Sequence, residues 1–401
     1  MPDDGLPLDD LPPAPTGASF DLLDGVRVLD LTTSIAGPYA TLLLADFGAD
    51  VVKIERPGTG DDARAWGPPF LDGDSLWFLS VNRNKRSVAV DYTDGPGRAL
   101  FEALVAAADV VVVNQVPRVQ AKLRTDARSL MALNSGLIHA SVTGFGLTGE
   151  RCDKPCYDLI AEGYSGVMDL TGEADSPPQK VGTPAADLLA GHDLALAVAA
   201  ALVRKGRTGQ GAEIDVSMVE SMTRFMVPRI ASYLGSGEVP VRSGARDSVI
   251  AIYQVFETAD DPMTLGLGND AIWRRFWVAI GQPERGTEEA TATNAGRRQG
   301  RAALVAEIQA ILATRPRAEW LALFDAHNVP AGPIQRVDEV CADRHLHDRG
   351  FLYTLERNGK RPAPQVGTGV QIDGRPNAPR HAPPNLGADE TAIRADWLGE
   401  D

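Results

Sequence analysis

Cysteine, histidine and positive charge are all scarce in this chain. Its 401 residues include 3 cysteines (Cys152, Cys156, Cys341) and 6 histidines. Thiols so few and irregular exclude a disulfide framework. The C-x3-C spacing of Cys152 and Cys156 lacks the second ligand pair a zinc site needs, so no metal is expected. Reduced thiols and a cytoplasmic location are the expectation. With 39 Lys+Arg against 54 Asp+Glu the net charge is −15. Such a surface disfavours nucleic acid or an anionic membrane as a general partner. No unbroken apolar run approaches the roughly 18 residues of a membrane span. Gly-x-Ser-x-Gly and His-Glu-x-x-His are missing as well. Residues 1–20 are acidic and Pro-rich without a basic or apolar leader, and are expected to form a disordered tail.

What the chain does contain is a run of short apolar segments separated by helices. Gly25–Gly58 reads as a buried strand (Val26–Leu31), a turn closed by Gly37-Pro38, an apolar helix (Tyr39–Phe47) and a second buried strand (Val51–Glu55). This is the pattern of a βαβ unit in a parallel sheet. A dinucleotide site would put G-x-G-x-x-G in the first turn, whereas this turn is Thr32-Thr33-Ser34-Ile35-Ala36-Gly37-Pro38. Further strands are predicted at Ser87–Val90, Val110–Val113, Leu137–Val142 and Ala212–Val216, with an amphipathic helix over Gly95–Ala108. Asp187–Val203 is apolar nearly all round, as a core or interface helix is. The predicted fold is α/β: a Rossmann-like doubly wound parallel sheet with a smaller second α/β domain. The large domain is expected over 21–225, completed by 335–401, with a linker and the small domain over 226–334. Ligands of such sheets bind beyond the carboxyl ends of the strands, which brings Arg56, Asn114 and Thr143–Gly146 to one rim.

Four places can carry chemistry. Asn82-Arg83-Asn84-Lys85-Arg86 concentrates cations in an acidic chain; alone it reads as a solvated turn, but with Arg56 and Arg64 it suggests an anion site. Asp158, after Tyr157, and Asp187, at the head of the apolar helix, both read as helix-start carboxylates. Asp175, before Ser176-Pro177, reads locally as a turn residue. His192 fits a core position, and His345 and His347 lie in a charged stretch.

Taken in order, Gly25–Gly58, Asn82–Val90, Val142–Gly149, Tyr157–Gly172, Val181–Gly191, Arg207–Asp215 and Val329–Pro333 resemble the class III CoA-transferases. That family includes formyl-CoA transferase, carnitine CoA-transferase and α-methylacyl-CoA racemase. Gly60–Phe70 and Leu79–Lys85 look most like its succinyl-CoA:dicarboxylate members of the glutarate type. The resemblance implies an interlocked homodimer, a coenzyme A thioester as substrate with no permanently bound cofactor, and a small carboxylic acid as second substrate. It implies an aspartate nucleophile, matched to Asp175, and a CoA site matched to Arg56, Lys85, Asn114, Lys122, Ser34, Ile35 and Phe145. The glycine-run loop of formyl-CoA transferase is reduced here to Arg242–Arg246, and Arg242 or Arg246 is a candidate for the distal carboxylate of a dicarboxylate.

Two alternatives stay open. A 2-methylacyl-CoA racemase of the same family pairs a Gly-His-Asp histidine with an aspartate that matches Asp187. Here the histidine position is Tyr157, a poor proton-transfer partner near neutrality because a tyrosine titrates near pH 10. The other alternative is a non-catalytic CoA-binding protein.

Overall fold

The computed structural model describes residues 6–93 and 95–400. Six segments supply the central sheet: β1 (Arg27–Asp30), β2 (Asp50–Glu55), β3 (Lys85–Ala89), β4 (Val110–Val113), β5 (Ile138–Thr143) and β6 (Ala212–Ser217). All neighbours pair in parallel, in the order β3-β2-β1-β4-β5-β6. This is the doubly wound order, with its switch point between β1 and β4. The central strands are buried on both faces, which is why Val110–Val113 is apolar at every position rather than at alternate ones.

The helices that position the site are α1 (Ala36–Asp46), α2 (Gly95–Ala107), α3 (Asp158–Ser165), α4 (Ala185–Thr208) and α5 (Met218–Phe225). α1 is buried along almost its whole length. It packs against α4 at Gly191, where a Cβ would lie 2.8 Å from the Ala36 carbonyl oxygen and 3.0 Å from Tyr39. Only glycine lets the two helices approach so closely.

α4 corrects one sequence expectation. It is 24 residues long and reaches a mean hydropathy of 1.6, enough by length and composition to cross a membrane. Counting unbroken apolar residues misses it, because Asp187, His192 and Asp193 interrupt the run. Ala186, Ala190, Gly191, Leu194, Ala195 and Val198 of α4 are nonetheless buried within the fold.

The expected tail differs too. Residues 1–5 lie outside the described residues, but Pro7–Asp10 form a short 3-10 helix and Phe20 is buried. Proline-rich extended chain lacks internal hydrogen bonds and here finds them outside itself. The Ala14 N–H donates to Thr354 O and the Thr354 N–H to Pro12 O, at 2.9 Å each. Thr354 belongs to the hairpin of β10 (Leu352–Arg357) and β11 (Lys360–Val366).

By internal contacts the chain forms two units. The larger holds residues up to Met168, Lys180–Gly237 and the chain from Cys341 onward; the smaller holds Asp169–Gln179 and Glu238–Val340. The boundary expected at 225/226 therefore falls at 237/238, since the helix Val227–Ser236 stays with the larger unit. The smaller unit has a three-stranded antiparallel sheet, β7 (Tyr253–Phe256), β8 (Met263–Gly266) and β9 (Ala331–Pro333), in the order β9-β8-β7. Trp273, Phe276, Trp277, Trp320 and Phe324 fill its core, beside helices α6 (Asp270–Ala279), α7 (Arg301–Leu312) and α8 (Arg317–Ala326).

Candidate active site

The β1–α1 turn stands at the switch point and is braced from both sides. The Asn114 side chain, just past β4, accepts from Thr33 N (3.3 Å) and donates to Thr33 O (2.8 Å). Ser34 takes a left-handed φ of 73° and its N–H donates to Asp61 Oδ1 at 2.9 Å. Asp61 is itself held by the buried Lys53 ammonium at 2.9 Å. Ile35 is buried and opens α1. Phe145, after β5, meets Tyr164 edge-on at 5.0 Å. Arg56 is exposed beyond β2, paired with Asp62 and donating to Gly60 O at 3.2 Å. Lys122 is exposed on the helix Pro117–Leu123.

Lys85 requires a correction. It lies inside the sheet with its ammonium donating to Pro38 O (2.7 Å), Asn82 Oδ1 (2.9 Å) and Asp30 Oδ2 (3.1 Å). An ammonium has three donors, so none is left for a phosphate. Burial pushes it down to about 8 in spite of Asp30. Burial alone would raise Asp30, but Lys53, Lys85, Thr32 and Thr41 together hold it well below the usual carboxylate range. The rest of the basic run is also committed internally. Arg83 is buried against Asp46 and donates to Gln365 at 3.2 Å, and Arg86 pairs with Asp50 and Asp396. Arg64 pairs with Glu55 and lies 3.7 Å over the Phe78 ring. The run reads as a phosphate cradle only while its partners are unknown.

Asp175 lies exposed in the loop between Thr171 and Pro178, in the smaller unit. An acyl-aspartyl anhydride must be kept from water, and an exposed turn does not provide that. Asp187 differs. It occupies the first turn of α4, in the larger unit, near Asp158 at the start of α3. Asp158 Oδ1 accepts from the backbone N–H of Ala186 (2.8 Å) and of Asp187 (3.3 Å), so Asp158 caps α4 from outside. Burial, reinforced by the Asp158 charge, lifts the Asp187 carboxyl to about 7. The thiol of Cys156 is pushed by burial and by Asp187 up to about 11, and stays protonated. Cys156 sits against the β5 loop at Gly144, where a Cβ would lie 2.1 Å from its own.

An apolar cleft of about 560 Å³ adjoins the head of α4. Ile35, Tyr39, Trp77, Thr183, Pro184 and Leu188 are among its walls. The arrangement therefore offers a half-buried carboxyl of near-neutral acidity in the first turn of α4, an apolar cleft that reaches Pro184 and Leu188 of the same segment, and a braced turn at a doubly wound switch point. In the sequence Asp187 reads as a helix cap, although the racemase match had already marked the position. Glu162, which faces the same cluster, carried no signal there.

A doubly wound parallel sheet whose first turn carries no dinucleotide fingerprint makes this an α/β protein, with the raised Asp187 carboxyl as its candidate reactive group. Over residues 23–390 the chain matches CoA-transferase family III, and it belongs to that family. It is 37% identical over 384 residues to succinate–glutarate CoA-transferase of Agrobacterium fabrum, covering 93% of this chain and 95% of that one. It is 36% identical over 364 residues to acetyl-CoA:oxalate CoA-transferase of Acetobacter aceti, covering 89% and 92%. A crystal structure of a CAIB/BAIF family protein from Brucella suis superposes with a TM-score of 0.81 at 36% identity, covering 94% of this chain and 99% of that one. The chain is thus a family III CoA-transferase, as the motifs led us to expect.

Proposed function

We propose that this enzyme moves coenzyme A from succinyl-CoA, or a closely similar acyl-CoA, to a small dicarboxylic acid of the glutarate type, and that Asp187 is the nucleophile. The observation that carries the second part is the carboxyl raised to about 7 beside Asp158. The relatives named above, on glutarate and on oxalate, support a dicarboxylate as acceptor. The nucleophile assignment moves from Asp175 to Asp187 because the latter is half-buried beside Asp158 and the former is exposed.

Exchanging CoA between two acids replaces one thioester by another, so no external energy source is needed. The Asp187 carboxylate attacks the donor thioester carbonyl; the C–S bond breaks, giving an acyl-aspartyl anhydride and CoA thiolate. The thiolate attacks the aspartyl carbonyl and expels the donor acid, leaving an aspartyl-CoA thioester. The acceptor carboxylate then attacks that thioester, and the returning thiolate cleaves the new anhydride at the acceptor carbonyl. A carboxylate of raised basicity is a better nucleophile and is still about half ionised near neutrality. Backbone N–H groups of the turns around the site suit the tetrahedral oxyanions.

For the CoA moiety, Arg56 and Lys122 are exposed cations for its phosphates, and Ser34, Ile35, Asn114 and Phe145 shape the rim. In the smaller unit Arg246 is exposed, and Arg301, which it faces electrostatically, has a buried Nη2 without a partner. Arg242 pairs with Asp169 at 3.1 Å. A homodimer is supported by apolar residues left uncovered on one chain, Leu196 at 69% and Leu234 at 76% exposure. Incubation with succinyl-CoA, trapping with hydroxylamine and peptide mass mapping should find the label on Asp187. Label on Asp175 would return the role to the loop, and no label on any aspartate would refute the covalent route. Racemisation of a 2-methylacyl-CoA by the enzyme, which Tyr157 disfavours, would restore the racemase reading.

A further inference from the structure

Glu162 is a buried acid that the chemistry above leaves unused. It lies one helical turn after Asp158, so the two carboxyl groups share a face of α3. Its residue is fully buried. Oε2 accepts from Val181 N at 2.8 Å, whereas Oε1 is buried without a donor. Asp158 meanwhile accepts from the N–H groups of Ala186 and Asp187. The pair therefore grips both ends of 181–187, the segment that delivers Asp187 to the head of α4.

Two ionised carboxylates on one face of α3, with Glu162 fully buried, would repel each other and leave Oε1 without a donor. One proton removes both problems: a Glu162 O–H donates to Asp158, and the pair carries a single charge. We propose that Glu162 and Asp158 share one proton, and that this acid–carboxylate pair is a positioning device for Asp187. The catalytic consequence rests on Asp187 being the nucleophile; the shared proton does not. The charges around Glu162 agree. Burial raises it and Asp158 raises it further, against the Val181 N–H and the Lys180 ammonium. On the helices packed against α3, Asp187 of α4 is an acid, Asp193 of α4 is paired with Arg224 of α5, and Glu220 of α5 is exposed.

Glu162→Gln retains both hydrogen bonds of the protonated acid, with an amide N–H to Asp158 and an oxygen for Val181. Glu162→Met keeps the volume and neither bond. Glu162→Met is expected to lower kcat about tenfold to a hundredfold by misplacing Asp187, and Glu162→Gln to restore most of that loss. The proton itself is read by infrared spectroscopy at about pH 6 in an Asp187→Asn background, which removes the titration of Asp187. A carboxylic-acid C=O band should be present there and vanish in Asp187→Asn/Glu162→Gln. An unchanged band, or a Glu162→Gln enzyme as impaired as Glu162→Met, overturns the proposal. If Glu162→Met fails to fold, the infrared pair still decides. Should the band vanish as expected while Asp187→Asn alone still transfers CoA, the shared proton stands and the nucleophile reading falls.

Discussion

Replacing Asp187 by Asn should abolish CoA transfer and make the protein more stable, with a pH signature that identifies the cause. A carboxyl whose folded-state value lies above its unfolded value is penalised once it ionises. The penalty is absent below about pH 4, grows as pH rises toward the folded value, and is constant above it. For Asp187 those values are 3.8 and about 7, and burial is the larger cause, ahead of Asp158. At 1.36 kcal/mol per unit, the native state carries about 2 kcal/mol of this penalty at pH 5 and about 4 kcal/mol at pH 8. Asn is neutral at both. Urea unfolding of the two proteins at the two pH values should therefore show Asn ahead of Asp by a margin that widens by about 2–3 kcal/mol. Turnover of the unsubstituted enzyme should rise with pH through about 7 as the nucleophile ionises. A margin that stays level or shrinks between pH 5 and pH 8 would refute the environment assigned to Asp187. Full activity in the Asn variant would refute its role. The stability is stored against function in the usual sense: an active site gives up folding free energy to keep a reactive group in place.

Other outcomes follow from the same geometry. Lys85→Met should lower the urea midpoint, because stripping a buried ion pair of one partner costs about 3–5 kcal/mol; a variant of normal stability with weakened CoA binding would restore a ligand role to Lys85. Gly191→Ala forces a methyl against the Ala36 carbonyl and should cost about 1–3 kcal/mol, seen as a lower Tm. An unchanged Tm would mean that α1 and α4 separate easily.

The sheet was legible because strands buried on both faces are written in consecutive residues. Val110–Val113 needs no partner to announce itself, and the alternation with helices gives the parallel order. The charges were not legible, because their meaning depends on partners far along the chain. Lys85 meets Asp30 and Pro38, 55 and 47 positions away. Arg83 meets Asp46 across 37. Nothing local separates these from a solvated basic turn. Asp187 failed for a related reason. An acid in the first turn of a helix looks like a cap, yet the amides at the head of α4 are capped by Asp158, 28 and 29 positions upstream. With the capping done by another residue, the Asp187 carboxyl is not committed to those amides, and its raised value comes from surroundings that the local sequence does not show. The resemblance supplied the right family, and within it the loop spacing drew attention to Asp175, which is exposed.

The far end of the chain also closes the first strands. Ile393 and Trp397 enter the core that Leu29 and Val52 begin, the Trp397 indole donates to Asp50 at 2.7 Å, and Arg27 donates to Asp396 O at 2.9 Å. In order of synthesis, β1 and β2 are thus sealed by a turn that lies 347 positions beyond Asp50. Throughout translation of the smaller unit, the β1–β2 face waits uncovered, an apolar surface dependent on slow, long-range closure. For this enzyme, the hydrophobic core around β1 and β2 closes only after the whole of the smaller unit has been made.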